Sequence, residues 1–425
     1  MKQNKWETVR RMTLNMPLYI MTVFTMIHLG IFIEFDLGGK IVNLSFVNQI
    51  VSFLYLAIMY FWAIFVNKKT YVKVLAVIMG ALSACGILIS LNDFGKSVND
   101  LLFAGTSVLT IFFVFDNAEY LLGRIKVRDK YLTVAIWSFV VFSVFLFVFF
   151  PNYQTQWGKG VYFYGHRYAS VCGLAIMLIG LKLTNRPKHA AIYWLLLFVF
   201  YYLCFWTGAR VYMISNLGQV YALLFVFRRS NKDFILKCVA VTLAALLAFM
   251  TSSAVEKIGN IINSTNDAIA QKEEAEIAVD ETYEWVNSIS NGRWEIWDNC
   301  IHSYKVLPVF NKLVGSGNKY IYENNILPYN HSVYAHTDFL NILHFNGLIG
   351  LIVYLAAYIG YVAWYWRTKK LSLILLIGFW GVWFVLALLN GYGNYTANMM
   401  SLPYLSVMAL WEKENCKTQN TFLKQ

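Results

Sequence analysis

Residues 190–227 read AAIYWLLLFVFYYLCFWTGARVYMISNLGQVYALLFVF, and they decide the fold. Two apolar runs, 190–206 and 209–227, meet at a turn of at most a few residues. Each run approaches the length that a helix needs to cross the hydrocarbon of a bilayer. Comparable runs recur along nearly the whole chain of 425 residues, which is 58% hydrophobic and only 14% charged, with mean hydropathy +0.51. A soluble domain is usually about 25% charged and under half apolar. This composition excludes a soluble enzyme, a nucleic-acid binder and a secreted disulfide scaffold, and it predicts an all-α integral membrane protein.

Twelve segments are expected to span, near 15–35, 44–66, 71–91, 97–116, 131–150, 166–184, 190–206, 209–227, 234–252, 338–366, 371–390 and 396–411. The segment near 338 is longer than a bilayer requires, which allows for tilt or an early start outside. The basic N-terminus MKQNKWETVRRM precedes a long apolar run with no small-residue cleavage site, so it reads as a retained first span and not a signal peptide. Twelve spans place both termini on one side. Of the 35 Lys and Arg residues, 24 fall on the termini and even-numbered connections, and the other 11 fall on the odd-numbered ones. Six of those 11 lie in a single long loop. By the positive-inside rule both termini are cytoplasmic and the odd connections lie outside. The same asymmetry accounts for the net charge of +12 with no nucleic acid among the partners.

The expected organisation is residues 1–252 as spans one to nine, 253–335 as one large extracytoplasmic loop with short helices, and 336–425 as spans ten to twelve with a cytoplasmic tail. The loop carries an acidic patch, QKEEAEIAVDETYE. Long loops in compact proteins are usually functional or disordered. The cysteines Cys85, Cys172, Cys204, Cys238, Cys300 and Cys416 are far apart and form no CxxC motif, so neither a disulfide framework nor a cysteine metal site is expected. The sequence contains no internal repeat.

Three arginines stand on the expected outer side. Arg210 sits at the turn WTGARVYMI, next to hydrocarbon, where a charge at mid-membrane depth would cost about 2.5–3.5 kcal/mol. It is either a snorkelling helix-end residue or an anion site, since guanidinium forks bidentately onto phosphate. Arg293 lies in SNGRWEIWDNCIHSY, where Asn291 and Gly292 look like a helix start. Trp294 and Trp297 share one face, as on a helix lying flat at the headgroup level. Arg167 follows His166 in VYFYGHRYASVCG. His302, His331 and His336 are also outside, the last two in YNHSVYAHTDFLNIL. No HExxH-like spacing supports zinc. A histidine at a span mouth can be a general base or a donor to phosphate, and Asp338 can partner it or cap the helix.

In order along the chain, these motifs resemble the O-antigen polymerase and O-antigen ligase family of membrane glycosyltransferases. GHRYAS resembles its histidine–arginine span start and TGAR its Thr/Ser-x-x-Arg turn. NGRWEIW resembles its Gly-Arg loop helix, and PVFNKLVGSGN its Pro-x-x-Gly-x-Gly element. AHTDFLNILHFNGLIGLIVY resembles its histidine span with a Gly-x-x-Gly packing run. The likeness covers most of the chain and is most specific between Gly165 and Leu351. Thr337 stands where many members carry asparagine.

The resemblance implies a GT-C type fold and a polymerase on the outer face of the bacterial cytoplasmic membrane, joining polyprenyl-pyrophosphate-linked oligosaccharides with inversion. Neither metal nor cofactor is implied. His336, Arg210 and Arg293 are the implied catalytic residues. His166, Arg167, His331, Asp338 and Trp294 are the implied substrate contacts. A chain-length regulator and a flippase are possible partners under this reading. A ligase that transfers the glycan to lipid A core shares the same motifs. A transporter for the same lipid should show related halves or matched broken helices, and neither is seen.

Overall fold

The computed structural model describes residues 2–31, 34–36, 41–43, 45–89, 94–149, 154–155, 158–159, 165–250, 253–274, 281–290, 292–317 and 335–422. The chain is helical. Its strands among the described residues are two short antiparallel hairpins, β1 (Glu34–Asp36) with β2 (Ile41–Asn43) and β3 (Gln154–Thr155) with β4 (Gly158–Lys159). The helices run α1 Lys2–Ile31, α2 Ser45–Phe61, α3 Thr70–Ile89, α4 Phe94–Asp116, α5 Ala118–Val127, α6 Asp129–Phe149, α7 Gly165–Thr184, α8 Ala190–Trp206, α9 Arg210–Val226 and α10 Asn231–Met250. After them come α11 Ser253–Glu274, α12 Glu281–Ile289, α13 Arg293–Val306, α14 Val309–Val314, α15 Asp338–Phe345, α16 Gly347–Leu355, α17 Val362–Lys369, α18 Leu373–Leu389, α19 Thr396–Ser401 and α20 Leu405–Phe422.

Five helical stretches are long and apolar enough to cross a membrane: Gln49–Val66, Thr70–Ile89, Gly165–Thr184, Asn231–Met250 and Gly347–Lys369. Phe103–Asp116, Ala190–Phe205 and Leu373–Leu389 are shorter apolar helices. This is an integral membrane protein, as its composition predicts. Apolar side chains such as Leu236, Leu247 and Met250 on α10 are exposed, as a face turned to lipid requires. By contrast α7 is buried along almost its whole length. It packs against α6, α8, α9 and α19, and small residues let those neighbours approach. A methyl on Gly173 would stand 2.7 Å from the Asn216 amide oxygen, and one on Gly180 2.6 Å from Leu223.

Ion pairs join segments that are distant in sequence. Lys69 meets Asp116 at 2.6 Å, Lys182 meets Asp129 at 2.5 Å, Arg228 meets Glu412 at 3.2 Å and Lys369 meets Glu119 at 2.5 Å. These basic residues belong to the group counted on the termini and even connections.

The structure corrects the sequence reading at span ten. The expected continuous segment 338–366 is broken: α15 ends at Phe345, and the spanning helix begins at Gly347, which has φ +69°. The break is forced by backbone contact. A methyl at Gly347 would collide with the Leu313 carbonyl, and one at Gly315 (φ +95°) with the Phe345 carbonyl. The Ser316 N–H donates to the His344 carbonyl at 2.8 Å, which fixes this crossing. Only glycines supply both the left-handed conformation and the clearance. The last expected span, 396–411, is likewise divided, by a 3-10 turn at Leu402–Tyr404 that holds Pro403.

Gly347→Ala should lose at least about 1–3 kcal/mol from the backbone conformation alone. Gly360→Ala, in open space within a helical turn, should be neutral. Apparent unfolding midpoints of the purified variants in detergent check this; equal midpoints would refute the crossing.

Candidate functional site

The site is built where α7 and α9 begin. Gly165 starts α7 against the α8–α9 turn, close enough that a methyl would sit 2.7 Å from the Thr207 carbonyl oxygen. The turn is set by Thr207, whose hydroxyl donates to the Cys204 carbonyl at 2.7 Å and accepts from the Ala209 N–H at 3.2 Å, and by Gly208 with φ +64°. Arg210 is thereby the first residue of α9. It is half-buried and makes no ion pair among the described residues. Two residues on, the buried Tyr212 ring lies 6.3 Å from the His166 ring. The Tyr212 hydroxyl accepts from the Asn398 amide at 3.0 Å, and the Ser170 hydroxyl donates to the other end of that amide at 2.9 Å.

A second group of elements brings in His336. Gly292, at φ +77°, caps α13, so Arg293 is its first helical residue. The Ser290 hydroxyl accepts the Trp294 N–H at 3.1 Å, and Asn287 accepts the Glu295 N–H at 3.2 Å, which satisfies orphan donors of the first turn. The Trp297 indole N–H donates to the Ala335 carbonyl at 2.8 Å, and Ile296, Cys300 and Ala335 close a small apolar cluster. His336 follows directly, with φ +53°. Its imidazole is pushed from the usual 6.5 down to about 3, by burial first, then by the charges of Arg293 and His166. Arg293, His166 and His336 therefore share one electrostatic environment, and His336 is neutral at ordinary pH.

Asp338 is the first residue of α15, and it is 4% exposed. Its carboxylate accepts the Gly393 N–H at 3.0 and 3.2 Å and the Tyr354 hydroxyl at 3.0 Å. Burial pushes it up to about 7, against the opposing pull of the Gly393 N–H and the Tyr354 hydroxyl. It ties the His336 segment to both the α18–α19 turn and α16.

Arg293 and His336 fall inside the segment that also matches a known family. Residues 191–355 match the family model described as O-antigen ligase. That segment, 165 of the 425 residues, is similar to the O-antigen ligase family. No curated protein matches the chain. The O-antigen ligase segment takes in Arg210, Arg293, His336 and Asp338. His166, Arg167 and the α18–α19 turn lie outside it.

Of the residues singled out in the sequence, His166, Arg293, His336 and Asp338 converge as described. Arg167 is half-buried on the turn of α7 that carries His166. Trp294 is exposed, with its ring 6.3 Å from Trp297. Trp297 is not spent on a lipid headgroup, because its N–H is committed to Ala335. His302 is exposed, and His331 and Asn291 lie outside the described residues. Among the described residues no three His, Cys, Asp or Glu side chains gather as metal ligands. Sequence reading missed Tyr212, Asn398, Ser170, Tyr354 and the turn Asn390–Tyr395. It also missed His344, whose Nε2 stands 2.8 Å from the Cys300 carbonyl. The available signal was uncharged polar residues inside otherwise apolar spans.

The two shifted groups pull stability in opposite directions. Asp338 binds its proton more tightly when folded, so its contribution is present at acid pH and is lost between about 4 and about 7 as pH rises. His336 binds its proton less tightly when folded, so its contribution is lost as pH falls through 6.5 towards about 3. Raising the pH from 5.5 to 8 should therefore shift the unfolding midpoint more favourably in Asp338→Asn than in wild type, and less favourably in His336→Gln. A shift of the opposite sign in either variant would contradict the burial of that group.

Proposed function

We propose that the protein is a polysaccharide polymerase that joins polyprenyl-pyrophosphate-linked oligosaccharide units on the outer face of the bacterial cytoplasmic membrane. The observation that carries this reading is Arg293 set beside a half-buried, neutral His336, inside the segment that matches the O-antigen ligase family. The twelve-span GT-C architecture, the extracytoplasmic position of 253–335 and the cytoplasmic termini belong to the same proposal, as do a chain-length regulator and a flippase as partners.

In this mechanism the acceptor hydroxyl oxygen attacks the anomeric carbon of the donor glycan from the face opposite the pyrophosphate. The bond from that carbon to the pyrophosphate oxygen breaks, its electron pair stays on the oxygen, and the configuration inverts. Arg210 and Arg293 stabilise the growing negative charge in place of a divalent metal. The hydroxyl proton passes to His336 and then to water. In the empty site a pKa near 3 makes His336 a poor base. A bound pyrophosphate offsets the positive field of Arg293 and raises the proton affinity of the imidazole. Burial, the larger cause of the low value, is not relieved by the pyrophosphate, so the donor restores the base strength in part. Arg167, His166, His331, Asp338 and Trp294 complete the proposed substrate contacts. A lipid A core acceptor would use the same residues and would make the protein a ligase. Transport is disfavoured by the family match and by the absence of related halves.

Purified protein given lipid-linked repeat units should build a ladder of longer chains. Arg210→Ala and Arg293→Ala should each abolish the ladder at normal protein level, and lysine at either position should rescue poorly because it cannot fork onto phosphate. Single transfer to a core acceptor without a ladder would assign the ligase reaction, and full activity in either alanine variant would remove that arginine from the mechanism. For topology, a reporter fused after Gln425 should read cytoplasmic and one inserted at Ile277 external. The reverse at either place would put the site on the wrong face.

A further inference from the structure

The site has a cationic side and an uncharged one, and the family reading uses only the first. From Leu371 to Trp411 the chain carries no charged residue. Within that stretch the α18–α19 turn reads Asn390-Gly391-Tyr392-Gly393-Asn394-Tyr395. Three observations place this turn at the site. Both Asp338 oxygens accept the Gly393 N–H, two residues along from His336. The Tyr395 ring meets the Tyr212 ring edge-on at 6.0 Å, and Tyr212 in turn faces His166 at 6.3 Å. Gly391, at φ +76°, lets the Asn394 side chain fold across the turn, where a methyl would collide with its amide.

The turn also holds one donor with nothing to bind, the Asn394 Nδ2. Asn390 is 2% exposed, and its amide lies beside the Tyr212 hydroxyl. Asn394 is half-buried, and its Nδ2 is shielded and has no hydrogen-bond partner among the described residues. An amide donor removed from water without an acceptor costs free energy, so such groups are rare unless a ligand supplies the acceptor. The chemistry of that ligand follows from the wall. A pyrophosphate is matched by guanidinium groups, which fork onto it with charge assistance. Neutral amides and tyrosine rings suit a neutral, oxygen-rich partner instead. Sugar hydroxyl, ring and acetamido oxygens accept from amides, and the C–H face of a pyranose lies flat on an aromatic ring.

We propose that the Asn390–Tyr395 turn is a sugar-binding wall, which holds the glycan of the lipid-linked substrate. Asn394 and Tyr395 are its contact residues, and Asp338 is the positioning residue that fixes the turn relative to His336. The inference rests on the reading of the substrate as a lipid-linked glycan.

Direct binding to the full-length protein in nanodiscs tests it with two probes: polyprenyl-pyrophosphate-linked oligosaccharide extracted from the source cells, and bare polyprenyl pyrophosphate. Wild type should bind the glycan-bearing lipid more tightly. Asn394→Ala and Tyr395→Ala should each weaken that binding about three- to tenfold, the range for one lost neutral hydrogen bond or ring contact, and should leave the bare lipid unchanged. Unchanged bare-lipid binding also reports that the variants are folded. Arg293→Ala should weaken both probes alike. Equal wild-type affinity for the two probes, or turn variants that weaken both or neither, would overturn the sugar-binding wall and leave the transferase reading standing. Wild-type protein that binds neither probe would overturn the transferase reading and the wall with it.

Discussion

A carboxylate sealed from water must be satisfied by the chain itself, and the described core of the site depends on that demand at Asp338. Its two oxygens take the Gly393 N–H and the Tyr354 hydroxyl. Tyr354 also accepts the Trp383 indole N–H at 2.9 Å, and the Trp383 ring stacks on Tyr358 with centroids 4.9 Å apart. One buried acid thereby sets the relation of four segments: the His336 segment, α16, α18 and the α18–α19 turn. Leaving such a group unmatched costs more than any single bond returns. This network therefore specifies one arrangement and penalises the alternatives.

The same low-dielectric setting controls the histidine. Burial first, and then the charges of Arg293 and His166, hold His336 neutral. Under the proposed function, Arg293 and Arg210 bind the pyrophosphate. Helix caps and backbone turns at Gly292 and Gly208 place both arginines as first residues of their helices. Anion binding at a helix start gains from the free N–H groups of the first turn as well as from the side chain.

Much of this was legible in the sequence, and for physical reasons. Apolar runs must be long to cross a bilayer, so the membrane class followed from composition and run length. Charged residues beside hydrocarbon are expensive, so Arg210 stood out, and the Gly-Arg pair at 292–293 marked a helix start that the structure contains. The break at Asn346–Gly347 was not legible, because hydropathy continues unbroken across it; at the end of α15 the backbone passes close to Leu313 and Gly315, distant in sequence, at a left-handed glycine. Tyr212, Asn398 and Ser170 were missed because one neutral polar residue in a span is ordinary, and only their mutual bonding makes them a group. Trp297 was misjudged because an indole N–H finds a protein carbonyl as readily as a headgroup.

The glycine crossing of 313–317 over 345–347 has a consequence for how the molecule is made. Ribosomal synthesis delivers residues 292–317 before α15, and α15 before the α18–α19 turn. The Ser316 N–H finds its acceptor only when His344 arrives, and the Cys300 carbonyl meets the His344 imidazole at the same moment. The helices α13 and α14 therefore have to wait for a later segment to fold back on them. The Asp338 carboxylate waits in turn for Gly393. The site is the last part of the chain to be completed, so a stalled or shortened product inserts most of the bundle and carries none of the chemistry.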